Sequence, residues 1–172
     1  MNSSYGWRGL QCTMRGAMAA GLFCALSVIA GRADTPMAFA SLAGSWAGSG
    51  TIELSGAREP IRCRAAYDVL DERSNLQLNI RCASDSYNFD LRASATYAGG
   101  GISGSWSEST RNAAGTISGK AEGDRIQVLA VGPWFTAELT LVTHGNKQAV
   151  SIKSREKDSS VKGVTITLQR AS

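Results

Sequence analysis

From residue 41 onward, apolar and polar residues alternate with a period of two, broken at short intervals by glycine and polar turn residues. A 3.6-residue helical period is hard to find over the same stretch. The alternation predicts ten strands, at about 45–54, 59–69, 75–83, 87–97, 101–109, 113–121, 125–131, 134–143, 147–154 and 163–170. Their short connections predict antiparallel hairpins between neighbours.

The hairpin of the second and third strands carries the sharpest signal. Cys63, Ala65, Tyr67 and Val69 share one face, and Leu76, Leu78, Ile80 and Cys82 share another. Folding about Glu72-Arg73 pairs Val69 with Leu76, Tyr67 with Leu78, Ala65 with Ile80 and Cys63 with Cys82. One register thus aligns both apolar faces and both sulfurs, and a one-residue slip would reverse every side chain. A Cys63–Cys82 disulfide is expected; the alternative is two buried free thiols.

Nearly every strand has one apolar and one polar face. With no helices to cover it, such a sheet must curl on itself or fold into a sandwich. The expected fold class is all-β, an antiparallel up-and-down β-barrel of about ten strands. Glycines inside strands (Gly48, Gly50, Gly104, Gly115 and Gly119) suit bends, or space beneath a large ring. Leu42-Ala43-Gly44-Ser45-Trp46 is echoed by Ile102-Ser103-Gly104-Ser105-Trp106. Each precedes a Gly-Thr-Ile, which reads either as a duplicated half-barrel or as chance.

The first 40 residues have a different pattern. Arg8 and Arg15 precede an uncharged, mostly apolar run over 16–31, and small residues follow. This is the layout of a cleaved secretory signal helix. The run is short for a membrane span, which needs about 20 apolar residues. Ala38-Phe39-Ala40 offers the better cleavage pattern, releasing a chain from Ser41. Gly31-Arg32-Ala33 lies closer to the apolar run. Translation from Met14 instead of Met1 would give a more compact signal. The expected organisation is a signal peptide over 1–40 and one barrel domain over 41–172.

Removing the signal changes the composition. Three of the 18 basic residues (Arg8, Arg15, Arg32) and one of the 14 acidic residues (Asp34) fall within it, so 15 remain against 13, a net +2. The charges are scattered and no basic run exists, so no nucleic-acid partner is expected and the processed chain is not expected on a membrane. Of four cysteines, Cys12 and Cys24 leave, and the remaining even pair fits an oxidising periplasmic or secreted location.

Candidate chemistry is sparse. His144, the one histidine, reads as a solvated turn residue in His144-Gly145-Asn146. With both late cysteines oxidised, a zinc site lacks an N/S ligand set. No Gly-x-Ser-x-Gly elbow is present for a serine triad. Gly115-Thr116-Ile117-Ser118-Gly119-Lys120 is one residue short of a phosphate loop and reads as strand. Carboxylates fall mostly on polar faces, and Asp90 is expected opposite Arg81 as a surface ion pair. Arg62, Arg64 and Arg81 form either an anion-binding patch or a solvated face. No catalytic residue, metal or cofactor is implied. Trp46, Tyr67, Tyr87, Phe89 and Trp106 share the inward face, as core or as the lining of a cavity for an apolar ligand.

Gly44-Ser45-Trp46 at the first strand resembles the Gly-x-Trp of the lipocalin and calycin barrels. That resemblance implies a late arginine, here Arg170, covering the tryptophan. The same segment with a downstream cystine resembles small periplasmic inhibitors of bacterial metalloproteases, which are eight-stranded barrels acting through an amino-terminal arm. Over nearly the whole chain after the signal, the sequence resembles a family of uncharacterised exported proteins of rhizobium-type Gram-negative bacteria. Ile61-Arg62-Cys63-Arg64-Ala65-Ala66-Tyr67, Arg81-Cys82-Ala83-Ser84-Asp85-Ser86-Tyr87, Gly104-Ser105-Trp106-Ser107-Glu108 and Phe135-Thr136-Ala137-Glu138-Leu139 carry that likeness. It implies export and the cystine, and no catalytic residue. The functional expectation is a soluble exported barrel binding a small apolar or amphipathic ligand. The alternatives are an interaction or inhibitor module with a cell-envelope protein as partner, and a small outer-membrane barrel.

Overall fold

A computed structural model describes residues 38–70 and 74–171. Residues 1–37, most of the expected signal peptide over 1–40, and the Glu72-Arg73 turn lie outside the described residues. Ten strands follow in order: β1 (Gly44–Leu54), β2 (Arg58–Leu70), β3 (Asn75–Ala83), β4 (Asn88–Ala98), β5 (Gly101–Glu108), β6 (Ala113–Glu122), β7 (Arg125–Val131), β8 (Thr136–His144), β9 (Lys147–Ser154) and β10 (Val161–Arg170). Each pairs antiparallel with its sequence neighbours, and β10 returns to β1, closing the barrel. Closure removes the free edges that an open sheet would expose. The expected strands are therefore all present, with boundaries moved by no more than about two residues, the ordinary uncertainty of strand ends.

The β2–β3 register is the one that aligns the two apolar faces. Cys63 opposes Cys82, Ala65 opposes Ile80, Tyr67 opposes Leu78 and Val69 opposes Leu76. Cys63 and Cys82 lie at disulfide distance, with an S–S length of 2.04 Å. Such a bond is characteristic of oxidising compartments. On the outer face, Arg81 opposes Asp90 and its Nε donates to Oδ2 at 2.8 Å. Lys120 also points outward and pairs with Glu122 at 2.6 Å, so the phosphate-loop-like segment is an ordinary stretch of β6.

The internal echo has no strand-level meaning. Trp46 and the first Gly-Thr-Ile (50–52) lie on the same strand, β1. Trp106 is on β5, while the second (115–117) is on the next strand, β6.

The interior is packed unevenly. On the β1–β2–β10 side, Trp46, Ile52, Ile61, Ile166 and Leu168 are fully buried. Along β4 to β7, many inward positions hold alanine or glycine: Ala93, Ala95, Gly104, Ala113, Gly115, Gly119, Ala121 and Ala130. A barrel wider than eight strands already has more interior than side chains readily fill. Small residues on one wall leave that space open. The inward residues of β6 are accordingly only half-buried.

Candidate functional site: an apolar cavity with one open end

Antiparallel order sorts the connections between two ends. The β2–β3, β4–β5, β6–β7 and β8–β9 turns share one end with the segment preceding β1. The β1–β2, β3–β4, β5–β6, β7–β8 and β9–β10 connections form the other. The interior holds a cavity of about 520 Å³, within the range of about 300–1,000 Å³ usual for small-molecule sites. Its middle is aliphatic, including Leu76, Leu78, Ile102, Ile117, Val128, Leu139, Leu141 and Ile152.

The first end is floored. Phe39 and Leu42, each 1% exposed, line the cavity there. Phe39 meets Tyr97 edge-on, with ring centroids 6.4 Å apart. Trp46 donates from Nε1 to the Leu42 carbonyl at 2.7 Å. Arg170 lies over the Trp46 ring, its Cζ 4.3 Å from the centroid, and also donates to the Ser41 and Ala43 carbonyls. Gly44 starts β1 at φ +107°, a conformation that disfavours other residues. The Gly-x-Trp sequence is thus a turn-and-clamp that holds the preceding segment under the barrel.

A buried polar chain reinforces this end. Tyr67 donates to Gln148 Oε1 at 2.7 Å, and Gln148 Nε2 donates to Thr143 Oγ1 at 3.1 Å. Gln148 has no exposed surface. The chain links β2 to β9 and β8. Burial pushes the Tyr67 hydroxyl well above its usual pKa, and the bond to Gln148 offsets only part of that.

The opposite end is a polar-rimmed mouth. Tyr87, Glu108, Arg111, Trp134 and Asp158 line it. Arg111 stacks on the Tyr87 ring at 4.0 Å and donates to the Asn88 carbonyl and Thr110 Oγ1. The Glu108 carboxylate faces inward and is buried. It accepts from the Asp90, Thr110 and Arg111 amides and from the Thr110 hydroxyl. Burial pulls its pKa upward, but those bonds together outweigh burial and hold it below the usual carboxylate value. Trp134 is 82% exposed beside this opening.

Of the five aromatics read from the sequence, Tyr67, Tyr87, Phe89 and Trp106 line the cavity. Trp46 does not. Leu42 and Arg170 cover it, so it supports the floor instead of facing the space. Trp106 packs against Phe135, with centroids 6.2 Å apart, and over Gly115. A Cβ on Gly115 would come within 2.8 Å of the Trp106 Nε1 and 1.9 Å of the Val131 carbonyl oxygen. That Nε1 is buried and has no acceptor among the described residues.

Phe39, Leu42, Arg111 and Trp134 were not legible as cavity residues from the sequence. The first two read as leader and leader edge, Arg111 as a turn residue and Trp134 as the first residue of the eighth expected strand, which in the structure begins only at Thr136. A faint signal existed for the floor, since Phe39 and Leu42 have the spacing of a single tight turn. The turn is closed by Leu42 N donating to the Phe39 carbonyl at 2.9 Å.

The other candidates stay outside this site. His144, expected in the turn, is the exposed last residue of β8 just before it, and lies 2.9 Å from Asp124. Arg62, Arg64 and Arg81 are exposed on the outer wall. No protein-family model and no curated protein matches this chain.

Proposed function

We propose that this protein is a periplasmic or secreted binding protein that takes up a small apolar or amphipathic molecule inside its barrel. The single observation carrying this is the unfilled, aliphatic-walled interior of about 520 Å³ beneath a polar mouth. Burying apolar ligand surface there yields roughly 25 cal/mol per Å². The polarity gradient along the axis favours an amphipathic molecule entering apolar end first, with its polar end at the mouth. Arg111 and Glu108 are of opposite charge and engage each other at 3.5 Å, so the mouth favours no strongly charged head group.

Two other readings fit less well. An interaction module acting only through its surface would have no use for a hollow core. An outer-membrane barrel needs an apolar outer band, whereas Arg62, Arg64, Asp68, Arg81 and Arg92 lie on the outer wall.

The test is titration of the purified exported protein with N-phenyl-1-naphthylamine, an uncharged apolar probe, following probe and tryptophan emission. Saturable single-site binding, displaced by a long-chain alkanol, is expected. Ala93→Phe points a ring into the cavity and should weaken binding about tenfold or more, or about 1.4 kcal/mol, without lowering the melting temperature. Unsaturable binding, or an Ala93→Phe variant that binds as well as the parent, would sink the proposal.

A further inference from the structure

We infer that the segment from Ala38 to Leu42 is a permanent floor of the barrel, and that export processing therefore cuts upstream of it, after Ala33. This rests on reading the leader as an export signal. By pattern alone, Ala38-Phe39-Ala40 is the better cleavage site. In the folded protein those residues are part of the barrel. Ala38 and Phe39 belong to the buried apolar core.

Every residue from Phe39 to Ala43 except Ala40 has its carbonyl held. Leu42 N donates to Phe39 at 2.9 Å, Arg170 donates to Ser41 at 2.7 Å and also to Ala43, and Trp46 Nε1 donates to Leu42 at 2.7 Å. Cleavage after Ala40 would cut between the two ends of the Phe39–Leu42 turn. It would remove the Phe39 ring and open the cavity at its closed end. It would also create an ammonium on Ser41, the residue whose carbonyl the Arg170 guanidinium holds. Two cations would then lie side by side at the exposed edge of the floor, where they repel and weaken the Arg170 clamp.

Cleavage after Ala33 avoids all of this. Water adds across the Ala33–Asp34 amide under a leader peptidase. The leader keeps a carboxylate, Asp34 gains the ammonium, and four residues (34–37) separate that charge from Ala38. Gly31 and Ala33 supply the small residues such a site needs. Starting translation at Met1 or at Met14 gives the same processed chain.

The experiment is expression of the full chain with its own leader in a Gram-negative host, followed by intact-mass measurement of the exported protein. A chain beginning at Asp34 is expected. Ala33→Leu should accumulate the precursor, and Ala40→Leu should be processed like the parent. An N-terminus at Ser41, or the opposite pattern in the two variants, overturns the inference while leaving the export reading intact. A chain that is never cut overturns both.

Discussion

Phe39→Ala puts the floor to a direct test. The ring is 1% exposed, so its removal forfeits a nearly complete burial. Full burial of a phenylalanine contributes about 1.5–3 kcal/mol, and the edge-on contact with Tyr97 adds about 0.5–1.5 kcal/mol. Phenylalanine-to-alanine changes in closed cores cost about 3–5 kcal/mol because they leave a new void. Here the void joins an existing cavity that water can enter, so the lower part of that range applies, about 3 kcal/mol. For a domain of this size that corresponds to a fall in Tm of roughly 10 °C. Urea unfolding followed by circular dichroism, with the melting curve alongside, measures both. A loss below about 1 kcal/mol would mean that the ring is not in the core. The reasoning about the floor would then fail with it.

Three further outcomes follow from the geometry. Replacing both cysteines by alanine opens a loop with a sequence separation of 19; the loss should be about 3 kcal/mol, read as a shift in the urea midpoint relative to the oxidised parent. An unchanged midpoint would contradict a formed disulfide. Tyr67→Phe leaves the buried Gln148 oxygen without its donor and should cost about 1–3 kcal/mol while the barrel still folds; a neutral result would show that the polar chain is not buried as described. The Glu108 carboxyl is held below its usual pKa, so its stabilising effect is complete above the unfolded-state value of about 4.3 and is lost as pH falls through the lower folded value. The Glu108→Gln variant should therefore lose less stability than the parent between about pH 4 and pH 2, and parallel acid-unfolding curves for the two would refute the assignment.

How far the site was legible follows from the kind of signal each part leaves. Tyr67, Tyr87, Phe89 and Trp106 were placed inward by alternation alone, because a strand's side-chain period fixes the face. The same rule placed Trp46 inward but could not say what lies above it. The covering groups, Leu42 and Arg170, are separated from each other by nearly the whole chain. Arg111 sits in a turn, where no period tells which way a side chain points, and Trp134, expected as the outward first residue of the eighth strand, lies in the connection before β8. Phe39 was read with the leader for a different reason. Small-large-small is the pattern of a cleavage site, and it is also the pattern of a tight turn carrying one anchoring ring.

The sequence by itself determined the strands, their order and the β2–β3 register. Those depend on local alternation and on pairing that only one alignment satisfies, in which apolar faces and sulfurs meet together. Only the tertiary structure decided that the barrel is hollow, floored at one end and open at the other. Whether an interior is filled depends on the circumference set by ten closed strands against the summed volume of all inward side chains. Alanine and glycine gather on the β4–β7 wall, opposite isoleucine, leucine and tryptophan on β1, β2 and β10, and no single strand shows that imbalance. The floor is likewise a long-range fact. It exists because the last residue of β10, Arg170, closes over Trp46 and grips the chain just before β1.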